Sequence, residues 1–499
     1  MALVTCARGV VAHVLRACLL LAAATLAHAD AGWFESGDAS LRLDLQLLND
    51  AEVIRLPVNT WPMPRASVEY ALANAKTHFA VNGAVLTALE RVKARVSGSR
   101  RVSLGVWAAG GEPGLLRDFD AFAREKGEVG ARADYTADRF AVSLKVAGVG
   151  DPQDDQVFRV DGSHATVQLG NWLVSAHTLE RFWGPSHESS LILSNNARPM
   201  PTLMVERAEA RPFQTPLLSW LGPWRMSFGV SRMEDSRADI DAPLFMAWRV
   251  VVMPFKKIEL GLSRTAQFCG KQLECNLDVF GNLLAGNDNV GIDATRANEP
   301  GNQMAGFDVR WNSPIGNLPY AVYSQYIGED ESAYLPAKYL AQLGVESWKT
   351  LANGGILQVF AEYSSTTCSA NTSRGPYYNC AYNQGRFNVE GYRYRGRVIG
   401  YTTDADAETY SVGGIFAPAS GDVWSVSARQ SLLNRDNSDA RNLVSPGRAD
   451  YYSLELGWRG RLAGQTISVD AGVESIDPLD GNRDLNPYGF VKWTHEFAP

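Results

Sequence analysis

The chain has 499 residues and a formal net charge of −7. That mildly acidic balance excludes the basic footprint of a nucleic-acid binder, and the length leaves room for more than one domain. Residues 1–29 read as a processing segment. Arg8 and Arg16 supply a positive start, Cys18 to Ala24 an apolar stretch, and Ala27-His28-Ala29 a small-x-small cleavage site. The apolar run falls well short of the ~20 residues that span a bilayer. A cleaved Sec-type signal peptide and an exported mature chain are therefore expected.

Residues 30–98 carry a helical pattern. Asp38 and Ser40 are N-cap candidates before LRLDLQLLND, in which Leu41, Leu45 and Leu48 share a face. The stretch NTWPMP (Asn59 to Pro64) interrupts it, and a second helical segment starts near Ser67. A third puts Val85, Leu89, Val92 and Val96 on one stripe, opposite Glu90, Arg91, Lys93 and Arg95. The stripe is read as simple packing against a neighbouring helix.

Beyond about Arg100 the period falls to two. Phe140, Val142, Leu144 and Val146 alternate with Ala141, Ser143 and Lys145. The same pattern returns at 424–429, 452–459 and 467–474, with Asn, Asp, Gly or Pro clusters between runs. Alternation alone fits a soluble sandwich or a membrane barrel, because both bury one face of each strand or turn it to lipid. Two features favour the barrel: the length of chain that keeps this period, and the C-terminal run Gly489, Val491, Trp493, His495, Phe497. That run resembles the assembly signal of outer-membrane barrels, with Ala498 and Pro499 following where such signals normally end. Counting candidate strands of about nine to eleven residues gives roughly 16 to 18, and single-chain bacterial barrels favour even numbers. The expected fold is an all-β transmembrane β-barrel of about 16 to 18 antiparallel strands over residues 99–499, with a small N-terminal α-helical domain.

Two segments break the alternation, Gly281 to Gln303 and Cys368 to Arg386, and both are read as long loops. Four cysteines remain after signal cleavage. They fall as close pairs, Cys269 with Cys275 and Cys368 with Cys380. In an oxidising compartment two local disulfides are expected. Metal binding is disfavoured, since neither pair has a nearby His or a C-x-x-C spacing. No metal and no cofactor are expected.

The stretch VDGSHATVQLGNWLVSAHTLERFWGPSHESSLILSNNARPMPTL resembles the central signature of the Wzi family of capsule-assembly proteins. RLDLQLLNDAEVIRLPVNTWPMP, NQMAGFDVRW, YSQYIGEDE and GYRYRGRVIGY are similar to further segments of that family, so the resemblance covers essentially the whole mature chain. It implies an outer-membrane barrel of about 18 strands, with its helical domain at the periplasmic end. It also implies a lectin-like role: holding exported capsular or other surface polysaccharide at the cell surface, with export left to a separate channel. The implied partners are that polysaccharide and outer-membrane lipid, and the expected state is a monomer.

A search for catalytic chemistry returns little. Ser186-His187-Glu188 names the right residue types, but neighbours in sequence cannot converge as a triad does. Glu455, Asp470 and Glu474 could pair as in a glycosidase, yet carboxylates are expected in any wet lumen. Binding is the better reading. Sugars present apolar faces and many hydroxyls, which suit an aromatic platform beside amide and guanidinium groups. Arg181, Trp183, Asn195, Asn196 and Arg198 supply those types in one stretch, RFWGPSHESSLILSNNARPMP. The competing reading of the same residues is a turn locked by Pro185, Pro199 and Pro201, which would leave sugar contacts to the outer loops. A porin-like channel and a glycan-modifying enzyme are the alternative functions.

Overall fold

The computed structural model describes residues 31–76, 83–97, 102–271, 273–285, 301–316, 318–332, 335–370, 376–383, 390–437, 442, 444–479 and 483–497. The expected signal peptide lies outside them. The wall is built from β1 (Val102–Glu112), β2 (Gly127–Thr136), β3 (Phe140–Gly150), β4 (His164–Leu169), β5 (Trp172–His177) and β6 (Thr202–Arg207). It continues through β7 (Trp224–Arg232), β8 (Leu244–Phe255), β9 (Ile258–Phe268), β10 (Gln303–Asn312), β11 (Tyr320–Ser332) and β12 (Leu335–Thr350). β13 (Ile356–Ala370), β14 (Glu408–Ala417), β15 (Val423–Leu433), β16 (Ala449–Leu462), β17 (Gln465–Pro478) and β18 (Asp484–Phe497) complete it. These eighteen strands among the described residues pair antiparallel in chain order and close into a barrel, with Phe497 of β18 opposite Leu104 of β1. A two-residue piece, Phe158–Arg159, shares β3 as a partner with β4.

Period-two sequence becomes a two-faced wall because successive side chains point to opposite sides of a strand. Phe140, Val142 and Leu144 stand exposed on the outside of β3, while Ala141 and Ser143 are buried within. β12 and β13 reach 16 and 15 residues, longer than the alternation indicates. The upper half of β13 reads SSTTCSA, which lacks the apolar rungs that make a strand visible, though its backbone still pairs. Short turns join strands at one end, for instance 170–171, 256–257 and 463–464, and the chain enters β1 and leaves β18 there. Long connections occupy the other end, among them 178–201, 269–302 and 371–407.

The helices are α1 (Ala39–Asp50), α2 (Arg65–Ala73) and α3 (Gly83–Ser97), with α4 (Leu277–Ala285) between β9 and β10. Asp38 caps α1, its carboxylate accepting the Leu41 amide at 2.9 Å. α1 is buried almost all round: Leu41, Leu45 and Leu48, but also Arg42, Asp44 and Gln46. It is sandwiched between α3, where Arg91 grips Asp44 (2.9 and 2.5 Å), and the interior of the barrel, where Arg42 lies 4.4 Å over the Phe119 ring. The helical core is continuous with barrel residues Phe119, Phe182, Ile356, Ile415, Ala417 and Val423. The helices therefore stop the short-turn end, and contacts such as Ser67 Oγ to the Ala208 carbonyl (2.6 Å) fasten them to its rim.

Two expectations need correction. Cys368 to Ala370, read as the start of a loop, are the last residues of β13. The glycine- and asparagine-rich stretch read as a loop from Gly281 begins inside α4 and ends at Gln303, the first residue of β10. Phe280, Leu283 and Leu284 give α4 its helical spacing.

Candidate functional site

The lumen is filled. Past β5 the chain enters the barrel, where Phe182 and Trp183 pair with Trp61 and Thr60 of the N-terminal segment. Three neighbouring strands of the wall, β7 to β9, clamp that segment. Glu259 accepts the amides of Val58 and Asn59, both at 2.9 Å. Arg225 donates to the carbonyls of Thr60 and Pro62 (2.7 and 3.2 Å). Arg249 donates to Thr60 Oγ1 (2.8 Å) and the Asn59 carbonyl (3.2 Å) while ion-paired with Asp308 (2.5 and 2.9 Å). Higher up, segment 191–200 packs with the hairpin that pairs Arg393–Tyr394 with Arg397–Val398. The hydroxyls of Tyr382 and Tyr392 donate to the carbonyls of Leu191 and Ile192 (2.8 and 2.7 Å). Gln325, from β11, donates to the Trp183 carbonyl and accepts the Leu191 amide (2.8 and 2.7 Å). Gly184 makes room for it, since a Cβ there would come within 3.0 Å of the Gln325 amide nitrogen.

Of the five residues expected to meet sugar, four are committed to this filling. Trp183 is 0% exposed, so neither ring face is open to a ligand; its indole N–H meets no acceptor among the described residues, and the ring contributes packing. Arg181 is paired with Glu206 (3.1 and 2.8 Å), which Ser227 also contacts. Asn195 donates to the carbonyls of Asp118 and Phe119, and Asn196 to that of Val398. This is the usual service of buried amides to irregular backbone. Arg198 alone keeps a partly exposed edge, held by Asp161 (2.8 and 2.9 Å) and Asp154. Cys269 is bonded to Cys275, and Cys368 to Cys380.

Ser186, His187 and Glu188 point to three different partners. Ser186 Oγ bonds Glu362 (2.6 Å), His187 Nε2 meets Glu346 (2.7 Å), and Glu188 pairs with Arg429 (2.5 Å). Glu346 also holds Arg310, which grips Asp50 at the end of α1 (2.8 and 2.7 Å), so a buried polar chain ties filling, wall and helix together. The lumenal carboxylates proposed for a glycosidase are likewise engaged: Glu455 by Tyr488, Asp470 by Arg459, and Glu474 by Tyr451 and the Leu115 amide.

At the long-loop end the structure gathers cations that the sequence reading passed over. Arg124 donates to the carbonyls of Asn195 and Asn196 (2.5 and 2.6 Å) and pairs with Glu180. Arg395 stands 3.9 Å from Asp154. Arg397 is bound to the neutral amide of Gln153 (2.9 and 2.7 Å), and burial, followed by the like charge of Arg124, pushes its pKa down to about 10. With Arg198 these form a partly exposed guanidinium cluster at the mouth. Its signal was present in YRYRGR, where arginines recur at two-residue spacing.

Burial alone would raise Asp154, but Arg198 and then Arg159 outweigh it and hold its pKa below the ordinary value of 3.8. A depressed carboxylate stabilises the fold above its unfolded pKa and loses that contribution as pH falls through the folded one. Proteolysis of the mouth loops should therefore accelerate below about pH 4, and Asp154→Asn should flatten that acid limb. Equal resistance at pH 3 and pH 6 in the unaltered protein would discard the role given to Asp154.

An eighteen-stranded barrel with a stoppered lumen, short turns at one end and an aromatic-studded apolar exterior defines an outer-membrane-type β-barrel of the plugged class. The model of the family "Capsule assembly protein Wzi" matches residues 96–484. The chain belongs to that family. The chain is similar to the Escherichia coli protein Wzi, described as an outer-membrane protein involved in group 1 capsule assembly and a carbohydrate-binding β-barrel. Identity is 25%, the TM-score is 0.79, and the match covers 94% of this chain and 99% of the other. It is also similar to a Klebsiella pneumoniae "55.8 kDa protein in cps region", 31% identical over 312 residues, which is 62% of this chain. That match spans 60% of the Klebsiella protein's length.

Proposed function

We propose that this protein is a non-enzymatic, lectin-like protein of the outer membrane that holds exported capsular or other surface polysaccharide at the cell surface. The observation that carries the reading is family membership joined to a filled lumen. A barrel stoppered by packed tyrosines and leucines suits retention better than conduction, which disfavours the porin alternative. The signal segment ending at Ala29 delivers the chain to the periplasm, the short-turn end with its helices faces that side, and the long-loop end faces outward, as in other barrels of this type. The protein acts as a monomer ringed by lipid.

Within this reading the sugar chain lies across the outer mouth, where Arg198 joins Arg124, Arg395 and Arg397. An acidic sugar offers a carboxylate that Arg binds with charge-assisted hydrogen bonds, and Arg397, facing a neutral amide, has the most to gain. Purified acidic polysaccharide should bind the folded barrel, and Arg397→Gln should weaken binding roughly tenfold, given about 1.5–3 kcal/mol for a hydrogen bond to a charged group. Thermal stability should fall only slightly, by about the 0.5–1.5 kcal/mol of a neutral hydrogen bond, as the contacts to Gln153 are lost. A deletion strain that keeps its cell-bound polysaccharide, with purified barrel that retains no glycan, would overturn the function itself.

A further inference from the structure

Strands β7 to β9 differ from the rest of the wall near the long-loop end. Phe245 and Arg249 of β8 reach the lumen, meeting Tyr392 and Asn59, so Met246 and Trp248 belong to the outer face. Phe228 and Val230 of β7, and Ala266 and Phe268 of β9, share that face. Two outward positions below Ala266, Leu262 is 55% exposed. Met246 and Ala266, by contrast, are 0% exposed.

What covers them is α4. Leu283 is buried in this outer patch, and the Phe280 ring lies 5.7 Å from that of Phe268 and 6.4 Å from that of Phe228. The Cys269–Cys275 bond folds the chain back just after β9, so the helix lies against the outside of the barrel. The apolar arc of the helix runs on past this contact: Leu277 is 65% exposed and Leu284 46%, while Asp278 lies on the side turned away from the wall. An apolar arc wider than the wall can cover, backed by a polar side, suits a helix lying at an interface. Beside it on the outer face, Phe307 of β10, opposite Leu262, stacks on Tyr326 at 5.5 Å, a pair suited to the membrane boundary. Of the nearby cations, Arg264 on the same face is buried and donates to Gln303 (2.7 Å), while Arg232 pairs with Asp235 and Lys271 with Asp241 (2.6 and 2.7 Å). The Leu277–Leu284 face therefore offers lipid apolar area, with Glu274 and Asp278 exposed beside it.

We propose that α4 is an interfacial foot. It lies at the boundary of headgroups and acyl chains in the outer leaflet, and its Leu277–Leu284 face takes lipid acyl chains. The inference rests on the long-loop end facing outward, and continuity with the lipid-facing wall selects lipid as the occupant.

The four other cysteines of the mature chain are bonded in pairs, so Leu284→Cys accepts a single environment-sensitive fluorophore. Leu262→Cys, on the bare wall, is the control. Each labelled full-length protein is placed in phosphatidylcholine vesicles whose acyl chains are brominated. Blue-shifted emission at 284, quenched in the same ratio as at 262, is the expected result. Quenching at 262 with water-like, iodide-quenchable emission at 284 would overturn the foot and leave the barrel reading intact. Loss of quenching at both sites would overturn the membrane reading and the foot with it. Blue-shifted but unquenched emission at 284, with crosslinking between copies, would make the face a self-interface and reject lipid as its occupant.

Discussion

Trp183→Ala turns a nearly silent barrel into a conducting one. The ring is completely enclosed, its backbone is fixed through Leu193 and Gln325, and it packs where the filling meets the wall. Removing a buried Trp side chain costs about 3–5 kcal/mol when the surroundings cannot collapse, and here the rigid wall limits collapse. The eighteen paired strands are untouched, so the loss falls on the filling. In planar bilayers the unaltered protein should show little conductance and the variant frequent openings, while heat-modifiable migration on gels still reports an intact wall. A silent Trp183→Ala barrel with unchanged stability would show that the ring does not lock the lumen.

Arg249→Leu should do more damage to the whole molecule. Asp308 faces Arg249 in a fully buried pair, and the same guanidinium holds Thr60 and Asn59. Breaking a buried pair by removing one partner typically costs about 3–5 kcal/mol, because the remaining charge is left without compensation. The unfolding temperature should fall, and residues 58–62 should become accessible to protease from the short-turn end. Adding Asp308→Leu should recover much of the loss, since two apolar residues leave no stranded charge. If the double variant is no better than the single one, packing of the N-terminal segment and not charge sets the cost.

Sequence carried the wall far better than its contents. Strand alternation is a direct trace of lipid on one side, and Phe140, Val142 and Leu144 show it without ambiguity. Asp38 announced the first helix correctly, because capping chemistry is local. Segment 181–201 was harder. Its serines, asparagines and prolines have the composition of a surface loop, yet Ser186, Asn195 and Asn196 are buried. Their hydrogen-bond partners come from β12 and β13, from residues 118–119 and from the 398–400 region. Separations of that kind leave no periodic trace. Residues of a platform and residues of a locked plug are the same types, so only burial distinguishes Trp183 from a sugar-stacking tryptophan. α4 escaped for a related reason: it is only nine residues long, and the glycines and asparagines that follow dominate the local composition.

The short pairing of Phe182 and Trp183 with Trp61 and Thr60 also constrains assembly in time. The partners come from before β1 and from between β5 and β6, while the seam that shuts the cylinder joins β1 to β18, the first strand to the last. The Trp61 stretch runs between α1 and α2 and enters from below with the helices, whereas Phe182 and Trp183 hang from the wall after β5. Gathering the contents while the cylinder is still an open sheet spares both a passage into a closed lumen, and the final zipping of β18 onto β1 then encloses them. Contacts this distant in sequence are slow to form. Variants that loosen the filling should consequently reveal themselves during insertion, as chains that linger unsealed, before any defect is visible in the finished barrel.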